Sequence, residues 1–139
     1  MTIEESQQDI IDQFADIDDW MDRYAYIIDM GNSLPPLPEE LKTPDRLIEG
    51  CQSRVWLDAE KDADGRITFR ADSDAIIVKG IISMLVQVLS GHTPDEILGA
   101  DLRFIDQIGL SEHLSPTRSN GLVAMLKQMR AYAAALKLK

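Results

Sequence analysis

Arg54-Val55-Trp56-Leu57-Asp58-Ala59-Glu60 and Arg66-Ile67-Thr68-Phe69-Arg70-Ala71-Asp72 alternate apolar and polar residues, with Ala63-Asp64-Gly65 between them. A period of two puts Val55, Leu57 and Ala59 on one face of the first segment. It puts Ile67, Phe69 and Ala71 on one face of the second. The intervening triplet is turn chemistry, so the pair predicts an antiparallel β-hairpin. A lone hairpin is marginal in water, so a third strand is expected. Leu47-Ile48-Glu49 is the best candidate, which makes Gly50-Cys51-Gln52 the turn between strands one and two.

The cover for this sheet follows at once. Ile76, Ile77, Val78, Ile81, Ile82, Met84, Leu85, Val86, Val88 and Leu89 leave a helix over 75–90 almost no polar face. Such a helix is buried all round, so it is expected at the centre, packed on the sheet and ended by Gly91. Ser73 or Asp74 is its expected cap.

Upstream, Thr2 and Glu5 have capping-box spacing, and Ile10, Phe14, Ile17, Met21, Tyr24 and Ile28 recur at helical steps. The acidic patch Asp16 to Asp19 reads as a break between two helices, with Asp18 capping the second and Gly31 as its C′ residue. Leu34-Pro35-Pro36-Leu37-Pro38 forbids helix and extends the chain. Pro38 is expected at N1 of a single turn through Leu41, ended by Pro44.

Downstream, Thr93-Pro94-Asp95-Glu96 is a second capping box that opens a short helix to Leu98. Phe104, Ile105 and Ile108 predict another, ending at Gly109. Ser115-Pro116 opens a last helix with a stripe of Leu122, Met125, Leu126, Met129, Tyr132, Ala133 and Leu136. Helices, a small antiparallel sheet, then helices make an α+β two-layer domain, one domain over residues 1–139.

Composition narrows the partners. The chain has 14 Lys plus Arg against 24 Asp plus Glu, a net charge of −10. Phosphates must be neutralised by basic side chains, so nucleic acid is disfavoured, and an anionic membrane surface with it. No apolar run is long enough to span a bilayer, and Met1-Thr2-Ile3-Glu4-Glu5 does not start a signal peptide. A single thiol, Cys51, without an export signal points to the reducing cytoplasm.

Cys51 is the leading candidate for chemistry. A lone cysteine is often a small buried hydrophobe. Here it follows Gly50 in a turn beside polar Gln52 and Ser53, where backbone N–H groups can stabilise a thiolate. Cysteine hydrolysis needs a histidine base. The two histidines, His92 and His113, have no motif around them and read as surface residues. A thiol without a base suits thiol exchange, where the thiolate itself attacks sulfur. One Cys and two distant His make no zinc site. Glu60, Asp62, Asp64 and Gly65 imitate the start of a calcium loop, but Ala71 stands where the bidentate Glu is needed, so these acids read as solvated turn residues. Asp72, Asp74 and Arg118 form a third set, of caps and a surface ion pair. A cation in the first turn of a helix opposes the dipole, so Arg118 needs an acid or a partner.

Trp20 through Ile28 with Gly31, Leu34-Pro35-x-Leu37, and Gly50-Cys51-Gln52-Ser53-x-Val55-Trp56 resemble the SufE family, sulfur acceptors of iron–sulfur cluster biogenesis. So do Asp72-Ser73-Asp74-Ala75-x-x-Val78-Lys79-Gly80 and Leu114-Ser115-Pro116-x-Arg118-Ser119-x-Gly121-Leu122. The motifs run in family order along nearly the whole chain, and the paralogous CsdE-type proteins share them. The resemblance implies a fold related to the IscU scaffold, with a three-stranded sheet against helices. It implies an accessory protein, not an enzyme, and no cofactor. By motif match Cys51 accepts persulfide sulfur from a SufS- or CsdA-type cysteine desulfurase and passes it to a SufBCD-type assembly complex. Gly50, Gln52, Ser53, Asp74 and Arg118 would support the loop or meet the partner. The Cys51 side chain is expected to rest partly sheltered and to swing out on docking. The competing reading is an acidic, non-catalytic adaptor in which Cys51 is structural.

Overall fold

The computed structural model describes residues 1–139. Helix α1, Ile3–Ala15, begins with the expected capping box: Thr2 Oγ1 accepts from Glu5 N–H at 3.0 Å, and Glu5 Oε1 accepts from Thr2 N–H at 2.9 Å. The acidic patch does break the helical pattern. Helix α2, Trp20–Asn32, starts after Asp19 rather than Asp18, and the Asp19 side chain makes no capping bond. Gly31 does not end this helix; it lies inside it for a packing reason given below.

The proline segment runs extended with Leu34 and Leu37 buried. Pro38 caps a 3₁₀ turn, Glu39–Leu41, from outside instead of occupying N1, and Pro44 opens a second one, Pro44–Arg46. Strands β1, Val55–Lys61, and β2, Ile67–Ser73, form the hairpin, with Val55 opposite Ser73 and Ala59 opposite Phe69. The turn is closed by the Asp62 carboxylate, which accepts from Asp64 N–H at 2.9 Å and Arg66 N–H at 3.0 Å.

The sheet has two strands, not three. Leu47 makes one antiparallel bridge to Trp56, and Ile48 N–H donates to Val55 O at 2.8 Å. The reason is length. The 3₁₀ turn holds the chain through Arg46, and Gly50 turns away at φ +93°, so too few residues remain to build a ladder.

Helix α3, Ile76–Leu89, is the centre of the core. Ile77, Ile81, Ile82, Met84, Leu85, Val88 and Leu89 are each 3% exposed or less. Full burial of one such side chain stabilises by roughly 1.5–3 kcal/mol. The helix packs against α2, β2, α1 and the last helix, α7, Pro116–Lys137, but it is not buried all round: Ile76 in its first turn is 63% exposed and Gln87 faces solvent. Its closest approach is to α2. A Cβ at Gly80 would stand 2.2 Å from Ile27 O, and one at Gly31 would stand 2.6 Å from Gly80 N. The two glycines let the backbones touch.

Helices α4, Pro94–Gly99, and α5, Phe104–Gln107, follow as expected, with Gly109 at φ +88°. A further short helix, α6, Leu110–His113, intervenes before α7. No helix is long and apolar enough to cross a membrane.

Candidate functional site

Cys51 lies on the loop between the Leu47–Trp56 bridge and β1. The loop is pinned at its far end by three bonds to Arg54. Asp74 Oδ1 accepts from Arg54 N–H at 3.0 Å, Asp74 N–H donates to Arg54 O at 3.2 Å, and Ser73 Oγ donates to the same oxygen at 2.8 Å. Asp74 and Ser73 are therefore loop staples. The expected capping of α3 is absent, since its cap position is Ala75 and carries no side-chain bond.

The thiol is half-buried and faces a cavity of about 30 Å³. Gln52 and Ser53 line it from the loop, Val78 and Ile81 from α3, and Thr117, Arg118, Gly121 and Met125 from α7. Gly50 stands apart, in an adjoining surface groove with Asn120, Val123 and Lys127. A Cβ on Gly50 would reach 3.2 Å from Ala124 Cβ, and its positive φ would strain any other residue.

The sulfur is held neutral. Cys51 Sγ donates to Gly121 O at 3.6 Å, and burial pushes the thiol above its ordinary pKa. A thiolate has no proton to give that carbonyl, so both effects favour the protonated form. The expected cradle of N–H groups is not there; the partner is an acceptor. The sheltered position of the side chain agrees with the sequence expectation.

Arg118 is exposed, with its guanidinium 5.9 Å from the centre of the Tyr24 ring. It does not pair with the acids grouped with it from sequence. Asp72 is buried elsewhere, where it accepts from Leu37 N–H at 3.2 Å and Ser73 N–H at 2.8 Å, with Lys42 at 3.5 Å and Lys79 at 3.4 Å. It fastens the proline segment to the end of β2 and to α3.

Neither histidine lines the cavity. His92 is buried, contrary to its surface reading, because its carbonyl accepts from Ile67 N–H at 2.8 Å and draws the residue onto β2. Desolvation lowers its pKa. His113 is exposed and stacks on Trp20, ring centres 4.3 Å apart. The site thus holds one protonated thiol, an apolar cavity and no adjacent base. It can perform sulfur exchange only once something removes the proton or moves the loop.

Sequence reasoning named Gln52, Ser53 and Arg118 but missed the rest of the cavity wall, although its spacing was visible. Thr117, Gly121 and Met125 recur at steps of four, and Val78 and Ile81 at a step of three, so each set shares a helix face.

Two comparisons place this architecture. The solution structure of a hypothetical protein from Thermus thermophilus has a similar fold, with a TM-score of 0.78. The match covers 96% of this chain and 97% of that one, at 20% identity, which speaks to fold alone. Residues 8–133 match the family model described as "SufE: Fe-S metabolism associated domain". That match spans most of the chain, including the Cys51 loop and the cavity wall, and the chain belongs to the SufE family of Fe–S metabolism.

Proposed function

We propose that the protein is a sulfur carrier: Cys51 takes persulfide sulfur from a cysteine desulfurase and hands it to a SufBCD-type cluster-assembly complex. One observation carries this reading. The chain's single thiol sits half-sheltered at a small apolar cavity, on a pinned loop, with no base beside it. Hydrolytic chemistry has no general base there. Sulfur exchange needs only a thiolate and a donor.

The step is a displacement at sulfur. Cys51 Sγ attacks the outer sulfur of the donor persulfide, and a new S–S bond forms as the donor's own S–S bond breaks. The Cys51 proton ends on the donor's leaving sulfur, and no net oxidation occurs. Because the resting thiol is protonated, docking must disengage it from Gly121 O. Gly50, with its positive φ, is the natural hinge for an outward turn of the loop.

Intact-mass spectrometry tests the reading. The protein and its Cys51→Ser variant are incubated with a SufS- or CsdA-type desulfurase and cysteine. The expected result is one added sulfur on the wild type and none on the variant. No adduct on either, with binding to the desulfurase retained, favours the acidic adaptor instead.

A further inference from the structure

From Ser111 to Asn120 no residue is buried, yet this stretch carries Thr117 and Arg118, two of the residues that line the space around Cys51. Its nearest core anchors are Leu110 before it and Gly121 with Leu122 after it. Within the stretch, Ser115 Oγ accepts from Arg118 N–H at 3.3 Å, which shapes the first turn of α7 but ties it to nothing else. Burial therefore does not decide where this wall stands.

Helix α2 does. Trp20, Arg23 and Tyr24 stand at i, i+3 and i+4, so they share one helix face. Trp20 stacks on the exposed His113, ring centres 4.3 Å apart and planes 13° from parallel. Arg23 donates to Ile17 O at 2.6 Å, Ile108 O at 3.0 Å and Phe14 O at 3.2 Å, which fastens the end of α5. The Tyr24 ring lies under the Arg118 guanidinium at 5.9 Å. The first two grips meet at Gly109, where a Cβ would stand 3.4 Å from His113 Cδ2, 3.8 Å from Arg23 Nη1 and 3.9 Å from Trp20 Cζ3. Arg23 holds the base of the exposed stretch, and Trp20 and Tyr24 hold the stretch itself. Ring stacking and cation–π contacts at exposed sites are weak, so a docking partner can displace them.

We propose that Trp20 and Tyr24 are positioning residues for Cys51: through His113 and Arg118 they hold the first turn of α7 as a wall beside the thiol and slow its reaction with small reagents in solution. The part this plays in sulfur uptake rests on the carrier reading above; the wall itself does not.

The test compares wild type, His113→Ala and His113→Phe. His113 is exposed and outside the lining of the Cys51 site, so neither change removes a core or lining side chain. Phenylalanine keeps a flat ring for the stack and alanine does not. Alkylation of Cys51 by iodoacetamide is followed in the free protein by intact mass across a pH series, and thermal midpoints are recorded. His113→Ala should react about fivefold faster than wild type, the scale of one lost aromatic pair, and His113→Phe at the wild-type rate. The alkylation midpoint of His113→Ala should also fall towards the ordinary thiol value, because an opened wall relieves the burial that raises it. Equal rates for wild type and His113→Ala, or a His113→Phe as fast as His113→Ala, overturn the proposal. Should His113→Ala not fold, Tyr24→Leu and Tyr24→Phe decide: the leucine variant should react faster and the phenylalanine variant should not, and equal rates overturn the proposal. Each protein is also given a cysteine desulfurase and cysteine. A wild type that takes up no sulfur overturns the carrier reading, whatever the alkylation rates show.

Discussion

Gly80 and Gly121 are both helical glycines, and they do opposite things. At Gly80 the Ile27 carbonyl stands 2.2 Å from where a Cβ would be, so the absent side chain is already filled by backbone. At Gly121 the nearest atom to the same position is the Cys51 sulfur at 3.6 Å, with a cavity beside it. One glycine closes a seam and the other keeps a space. A similar contrast holds for the two sheltered acids. Burial alone would push Asp72 up, but the N–H groups of Ser73 and Leu37, with Lys79 and Lys42, more than offset it and hold the carboxyl below its usual value. Cys51 has no such compensation, so burial pushes it up. A fully satisfied group fastens the fold. A group left unsatisfied as an anion is the one a docking partner can switch.

The largest expected effect of breaking this contrast is at the seam. Gly80→Ala forces α2 from α3 and should destabilise by about 3 kcal/mol or more, read as a lower urea midpoint. If its stability matches wild type, the seam is not tight. Next is Asp72→Asn, which keeps the shape but removes the charge from two lysines and weakens acceptance from two N–H groups. A loss of about 1–3 kcal/mol at pH 7 is expected.

The same variant sharpens the pH dependence. Because the folded Asp72 pKa is depressed, its stabilisation is present above the ordinary carboxylate pKa. It is lost as pH falls through that value and then through the folded one. Asp72→Asn should flatten that part of the stability–pH curve, and an unchanged acid limb would count against the assignment. Cys51 has the opposite sign: its contribution is present below the ordinary thiol pKa and lost as pH rises through the raised one. Its alkylation by iodoacetamide in the free protein should therefore have a midpoint above the usual thiol value of about 8.5. A midpoint below that value would place a stabilised thiolate in the loop. The smallest stability effect is that of Cys51→Ser, under about 1 kcal/mol, since one weak 3.6 Å bond is at stake. A variant that unfolds would return Cys51 to a structural role.

Most of the fold was legible because its signals are local. The alternation of 54–60 and 66–72, the two capping boxes and the apolar run of α3 each fix an element from neighbouring residues. The misreadings needed tertiary information. Gly31 has the composition of a helix end, but only the approach of Gly80 shows why it lies inside α2. Leu47-Ile48-Glu49 has strand composition, but the turns on both sides leave room for one bridge. His92 is polar and follows a glycine, and only its pairing with Ile67 buries it. At the site, Cys51 stood out as the single thiol, and its motif carried the family. The cavity did not, because its walls come from three segments distant in sequence. Nor did the parting of Arg118 from Asp72 and Asp74, which depends on where three side chains point.

The central claim is that Cys51 itself carries the sulfur, and peptide mapping tests it most directly. After reaction with desulfurase and cysteine, the protein is alkylated and cut with trypsin, which releases Leu47 to Arg54 as one peptide containing Cys51. The predicted result is that this peptide carries one extra sulfur between Cys51 and the label. A peptide labelled directly on Cys51, with no added sulfur, from a protein that nonetheless stimulates the desulfurase, would contradict it.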